Sequence, residues 1–264
     1  MQLGRPRTRR RAPVGLWAPA LLLLWAAAVV DSRPARAADF TVNPIQIFLA
    51  GQTRSAILTV QNTSGEPLRF QLNAFAWAQD SAGLMLLTPT SEIIFFPRLL
   101  TLAPGEQRIV RVGTSVPTGP VERAYRIFVE ELPPSTQQAT PPGQVRVLAR
   151  MGIPIFVEAR TGRAELRLIP PTQQPGRLVF ELRNTGTKHA VPQTIRVRGH
   201  GPAGETVWEG EQEGWYILAG EHRLYEMPFP REECVKTSTV AVEVKAGEQT
   251  LTERLAIAAA ACGP

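Results

Sequence analysis

From Asp39 almost to the end of the chain, apolar residues recur at every second position in short runs separated by turn residues. That period commits the polypeptide to strands buried on one face. Ile45, Ile47 and Leu49 share one face of the segment 41–50, which Gly51-Gln52 ends. Ala56, Leu58 and Val60 repeat the pattern before Asn62-Thr63-Ser64-Gly65, and Phe70, Leu72 and Ala74 repeat it before the polar stretch 79–83. Ile93 to Phe96 is continuously apolar and stops at Pro97, and Ile109 to Val112 follows the turn Pro104-Gly105-Glu106. Tyr125, Ile127 and Val129 lead to Leu132-Pro133-Pro134, and Val145, Val147, Ala149 and Met151 alternate after Pro141-Pro142-Gly143. Roughly seven short strands within about 120 residues describe an immunoglobulin-like β-sandwich. The 24 prolines, roughly twice the usual share, argue against long helices.

The segment 158–163 has no apolar pattern and reads as a connector, after which strand signals resume at 164–169, 177–183, 194–198, 206–208, 215–218, 222–227, 240–244 and 251–257. The expected organisation is therefore all-β: a first sandwich over 38–157, a linker over 158–163 and a second sandwich over 164–264, each of ordinary domain size.

Residues 1–37 carry seven arginines and one acid, an apolar run from Ala18 to Val30, and the small-residue triplet Ala35-Arg36-Ala37. This is the pattern of a signal peptide cleaved after Ala37, too short in its apolar run for a membrane anchor, so the mature chain is expected to begin at Ala38 in the periplasm. Thr8-Arg9-Arg10-Arg11 is followed by Ala12-Pro13 rather than a bulky apolar residue, which favours general secretion over the twin-arginine route. The net charge of +6 belongs entirely to this leader, because the rest of the chain balances 22 bases against 22 acids. No basic stripe interleaved with aromatics is left for nucleic acid, and no stable membrane insertion is expected.

Enzyme chemistry has little to draw on. Beyond the leader only Asp39 and Asp80 are aspartates, and His189, His200 and His222 match no metal-ligand spacing. Neither catalysis nor a cofactor is expected. Gly199-His200-Gly201-Pro202-Ala203-Gly204 satisfies a phosphate-loop pattern but joins two strand-like runs, so it reads as a hairpin loop without the helix that such a loop needs. Cys234 and Cys262, an even pair in an exported chain, point to a disulfide.

The exported N-terminus, the early strand ending at Gly51, Leu58-Thr59-Val60-Gln61-Asn62, Pro97 with Leu102 to Gln107 and Val110-Arg111-Val112, Tyr125 through Pro134, and the alternating run Val145 to Met151 occur in one order and spacing. In this combination the chain resembles the PapD-like periplasmic chaperones of chaperone–usher pilus assembly. The second half matches only in length and strand pattern. The resemblance implies a boomerang of two immunoglobulin-like domains that binds, stabilises and delivers pilus or fimbrial subunits to an outer-membrane usher. It does so by lending a strand to a subunit that lacks one, main chain to main chain. Val145, Val147, Ala149 and Met151 would form the lent apolar face, although Arg146, Leu148 and Arg150 line the opposite face and either could be core.

Members of this family hold the subunit's terminal carboxylate with an arginine in the first strand and a lysine in the seventh. The positions matching them here are Gln46 and Pro154, which draws the likeness toward the archaic or alternative branch. Arg126 and Arg150 are the candidate replacements, each interrupting a strand-like run, with a solvated strand face as the plain alternative for both. A different class of protein fits the same strands: an exported β-sandwich that serves as a structural or adhesive subunit of a surface assembly.

Overall fold

The computed structural model describes residues 40–80, 82–133 and 147–262, so the expected leader and Val145 lie outside the described residues. The first half forms β1 (Phe40–Asn43), β2 (Ile47–Leu49), β3 (Ser55–Asn62), β4 (Leu68–Gln79), β5 (Met85–Pro89), β6 (Ile93–Phe96), β7 (Leu99–Leu102), β8 (Gln107–Thr114), β9 (Arg123–Leu132) and β10 (Arg150–Val157). One sheet runs β1-β3-β8-β6; the facing sheet runs β2-β10-β9-β4-β5, with β7 also pairing β4. Between them lies a core that includes Phe40, Leu58, Val60, Phe70, Leu72, Tyr125, Ile127 and Ile155.

The second half forms β11 (Leu166–Gln174), β12 (Arg177–Asn184), β13 (Thr194–His200), β14 (Thr206–Gln212), β15 (His222–Pro228), the short helix α1 (Arg231–Cys234), β16 (Thr239–Ala246) and β17 (Gln249–Ala256). Sheets β11-β12-β15 and β14-β13-β16-β17 enclose a separate core containing Leu178, Phe180, Ile195, Val197, Tyr225 and Val242. The molecule is thus all-β, two immunoglobulin-like sandwiches in sequence.

Both sandwiches stabilise a turn with the same device. Asn62, fully buried at the end of β3, donates through Nδ2 to the carbonyls of Glu66 (2.7 Å) and Leu102 (3.0 Å). Asn184, equally buried at the end of β12, donates to Lys188 (2.8 Å) and Ile217 (3.0 Å). A short amide side chain that can serve buried carbonyls is what each of these turns requires, because an unpaired buried carbonyl costs free energy.

Cys234, at the end of α1, is bonded to Cys262, which follows the 3-10 turn Ala259–Ala261 after β17. Both are 2% exposed within the second core, so the disulfide fastens the segment beyond the last strand. The glycine-rich segment 199–204 is the expected hairpin: Gly201 N donates to Glu205 O (2.9 Å), and Gly204 takes φ +85°.

Several sequence expectations are corrected. The segment 41–50 is two strands, not one: β1 pairs β3 in one sheet, while β2 pairs β10 in parallel in the other. Pro44 lacks the N–H a continuous ladder needs, and Ile45 is left 73% exposed rather than sharing a buried face. β5 and β7 escaped the period-two reading. β5 borders the sheet beside β4 with mostly exposed side chains, so it has little burial to impose alternation. The run 215–218 is not a strand; Ile217 makes a single bridge to Ala190. Among the described residues the strand β10 begins at Arg150, with Val147 to Ala149 preceding it.

Candidate functional site

The two edges of β10 are treated differently. Along one edge it pairs β9 antiparallel over its whole length, from Arg150↔Glu130 to Val157↔Arg123. Along the other edge β2 covers only Ile155, Phe156 and Val157, leaving Arg150–Pro154 with a single partner strand among the described residues. Glu131 N donates to Ala149 O (2.9 Å), so the odd-numbered residues of β10 exchange hydrogen bonds with β9. The even-numbered ones therefore aim their N–H and C=O groups outward. Pro154 sits at an outward position, and its missing N–H takes nothing from the β9 ladder.

The same alternation settles which side chains are core. Ala149 and Met151 pack partly buried against the first core, and Ile153 and Ile155 continue that face at 1% and 0% exposure. Val147, the next residue outward on this face, is 81% exposed. An apolar face thus begins inside the sandwich and runs out of it alongside an open hydrogen-bonding edge. On the opposite face Gly152 leaves room for Phe128, whose ring would lie 2.6 Å from a Cβ at that position.

Arg126 and Arg150 share that opposite face but do not converge. Arg126 stands across from Pro154 and Arg150 across from Glu130, four register positions apart, or about 13 Å along the strand. Arg150 is half exposed, bonded to Glu130 at 2.7 Å, with its guanidinium carbon 3.8 Å from the Phe128 ring centroid.

Arg126 is only 7% exposed, and no acidic partner faces it among the described residues; its Nε is buried without a hydrogen bond. Its guanidinium carbon lies 4.2 Å from the Trp77 ring centroid and 5.7 Å from that of Trp215. Burial pushes its pKa below the ordinary arginine value, an effect opposed by the nearby Tyr216. Even so, an arginine stays protonated at neutral pH, so this is a fixed, desolvated positive charge held between aromatic rings.

These rings belong to the seam between the sandwiches, where Trp77, Phe156 and Leu218 form a third small core. Gln79 of β4 binds the second sandwich through its whole amide, donating to Tyr216 O (2.8 Å) and accepting from Leu218 N (2.8 Å). His189 hydrogen-bonds Glu122 through both Nδ1 (2.6 Å) and its backbone N (2.8 Å), with its ring stacked on Phe156 at 3.7 Å. Lys188 and Glu158 pair at 2.9 Å beside them. Gln46, where the resemblance places an arginine, donates its amide to the Tyr216 hydroxyl. Pro154, where it places a lysine, lies across from Arg126 of β9.

Arg126 is marked in the sequence as a cation within an apolar run, whereas Trp77, Trp215, Tyr216, Gln79, Glu122 and His189, which surround it or line the seam, carry no such mark. Trp215-Tyr216 was visible as an aromatic pair; nothing local marked Glu122 and His189 as partners, since 67 residues separate them. Among the described residues no cluster of acids, histidines and cysteines could hold a metal ion, and no helix is long and apolar enough to cross a membrane.

The first sandwich thus places, among the described residues, an edge strand covered on one side along Arg150–Pro154 and a buried arginine without an acidic partner. Solved structures with this fold include the complex of chaperone CsuC with tip adhesion subunit CsuE from the archaic Csu pili of Acinetobacter baumannii. It is 19% identical, with a TM-score of 0.56, covering 82% of this chain and 98% of that one. The YadV chaperone is 10% identical with a TM-score of 0.55, covering 83% of this chain and 100% of that one. The class 5 fimbriae chaperone CfaA is 13% identical with a TM-score of 0.52, covering 81% and 98%. At these identities the likeness is one of fold. No curated protein matches the chain by sequence. Residues 39–160 match the PapD N-terminal domain of the pili and flagellar-assembly chaperones, so the first sandwich is a domain of that type.

Proposed function

We propose that this protein is a periplasmic chaperone that binds, stabilises and delivers pilus or fimbrial subunits by donor-strand complementation, working without catalysis or a cofactor. The observation that carries this reading is the outer half of β10, where an apolar face running out of the core through Met151, Ala149 and Val147 meets an edge paired on one side only. A subunit missing a strand would pair with that edge and receive the alternate side chains in its groove. Val145 would extend the same face. Arg126 would anchor the subunit's terminal carboxylate, since it is a desolvated cation with no acidic partner among the described residues, and Arg150, already held by Glu130, takes the lesser part.

The leader 1–37, the domains 38–157 and 164–264 and the linker 158–163 complete the proposal, with an outer-membrane usher as the receiver of the complex. It sits nearest the archaic or alternative branch, because both usual basic positions are occupied by Gln46 and Pro154. The rival role of structural or adhesive subunit gives the open edge no client to release. Co-purification from periplasm with candidate pilins present and absent tests the proposal: pilin should be recovered in a stoichiometric complex, and full pilin stability without this protein would overturn it.

A further inference from the structure

The surroundings of Arg126 hold a second donor that comes from the other sandwich. Tyr216 lies with its ring centroid 5.3 Å from that of Trp77 and 5.5 Å from that of Trp215, the same two rings that flank the guanidinium. Its oxygen accepts a hydrogen bond from the Gln46 side-chain amide. A phenol carries one hydrogen and accepts through its oxygen, so an amide donating into that oxygen leaves the hydrogen free for another acceptor. Among the described residues, none receives it.

Two donors therefore stand against the same two rings, a charged guanidinium from β9 and a neutral hydroxyl from the second sandwich, with no acceptor among the described residues bonded to either. A ligand that satisfies both must accept only and carry negative charge, and the flat walls of Trp77 and Trp215 suit a planar group. A carboxylate meets each requirement: one oxygen pairs with the guanidinium while the other accepts from the phenol. We propose that Tyr216 donates a hydrogen bond to the carboxylate held by Arg126, with Gln46 as the positioning residue that fixes the phenol. The carboxylate site is then complete only when both sandwiches contribute, so capture reads the seam as well as the strand. This rests on the reading of Arg126 as the anchor for the client's terminal carboxylate.

The test uses the full mature chain and two probes of equal shape, N-acetyl-L-phenylalanine and its C-terminal amide, followed by tryptophan fluorescence. The native protein should prefer the carboxylate over the amide, and Arg126→Gln should bring that ratio to one. Tyr216→Phe, which keeps the ring, should reduce the ratio about tenfold or more, as expected for one hydrogen bond to a charged group. Gln46→Leu should reduce it about threefold, and the thermal midpoint of each variant guards against simple misfolding. An unchanged ratio in both Tyr216→Phe and Gln46→Leu, with collapse in Arg126→Gln, overturns the role of Tyr216 and leaves the anchor standing. No preference for the carboxylate in the native protein overturns both, while the strand-lending mechanism is tested separately at Val147.

Discussion

The inner and outer halves of β10 lie in one strand but differ in how the sheet covers them. Ile155 to Val157 are enclosed by β2 on one edge and β9 on the other, at 0–3% exposure, so every backbone group there belongs to the sandwich. Among the described residues Arg150 to Pro154 pair only with β9, and beyond them Val147 stands 81% exposed. The arginines differ in parallel: near the inner half Arg126 is buried with no acidic partner among the described residues, while at the outer half Arg150 is half exposed and paired. The difference shows that what a strand offers a partner is decided by where its neighbour stops, a property of the sheet rather than of the strand.

The sharpest way to break this comparison is to charge the outer half. Val147→Asp should abolish recovery of the pilin complex, because a carboxylate entering an apolar groove loses its hydration and gains no partner. The free protein should keep its thermal midpoint, since Val147 contributes almost nothing to its core. A drop in the midpoint of several degrees would place Val147 inside the sandwich and undo the distinction between the halves. The complementary change is Ile155→Ala at the inner half. Removal of a fully buried isoleucine should cost about 2–5 kcal/mol in denaturant unfolding, with capture failing only in proportion to unfolding.

Arg126→Met separates binding from folding on the charged side. If the client's carboxylate pairs with this desolvated guanidinium, its loss should weaken capture by about 2–5 kcal/mol. The free protein should melt no lower, because a buried cation without an acid is replaced by an apolar side chain of similar length. Pilin titration with parallel thermal unfolding reads both quantities; a strong fall in the midpoint with normal capture would make the arginine and its rings a purely structural stack.

The strands of both cores were legible because burial on one face writes a period of two, as at Leu58 and Val60 or Phe70 and Leu72. β5 was not, because an edge strand with exposed side chains has no such period. The split between β1 and β2 turns on one proline, whose effect on sheet choice depends on strands far along the chain. At the site, Arg126 stands out as a cation in an apolar run and the Val147 face as an alternation. The sequence could not say which face of β10 was core, since that depends on its pairing with β9. Nor could it bring Trp215 and Tyr216 to Arg126, because those residues meet only at the seam between two independently patterned sandwiches.

The smallest expected effect lies at Arg150. Its side chain is 49% exposed and that of Glu130 30%, so solvent screens the pair, and Arg150→Ala should change either stability or capture by less than about 1 kcal/mol. Part of even that change would come from uncovering Phe128, over which the guanidinium lies at 3.8 Å. Glu130→Gln distinguishes the sources: it frees the arginine from its acid while leaving it on the ring, and it should leave pilin recovery unchanged. If instead Glu130→Gln strengthens capture and Arg150→Ala weakens it as much as Arg126→Met, then Glu130 competes with the client's carboxylate for the same cation. The outer half of β10 would then carry the anchor as well as the open edge.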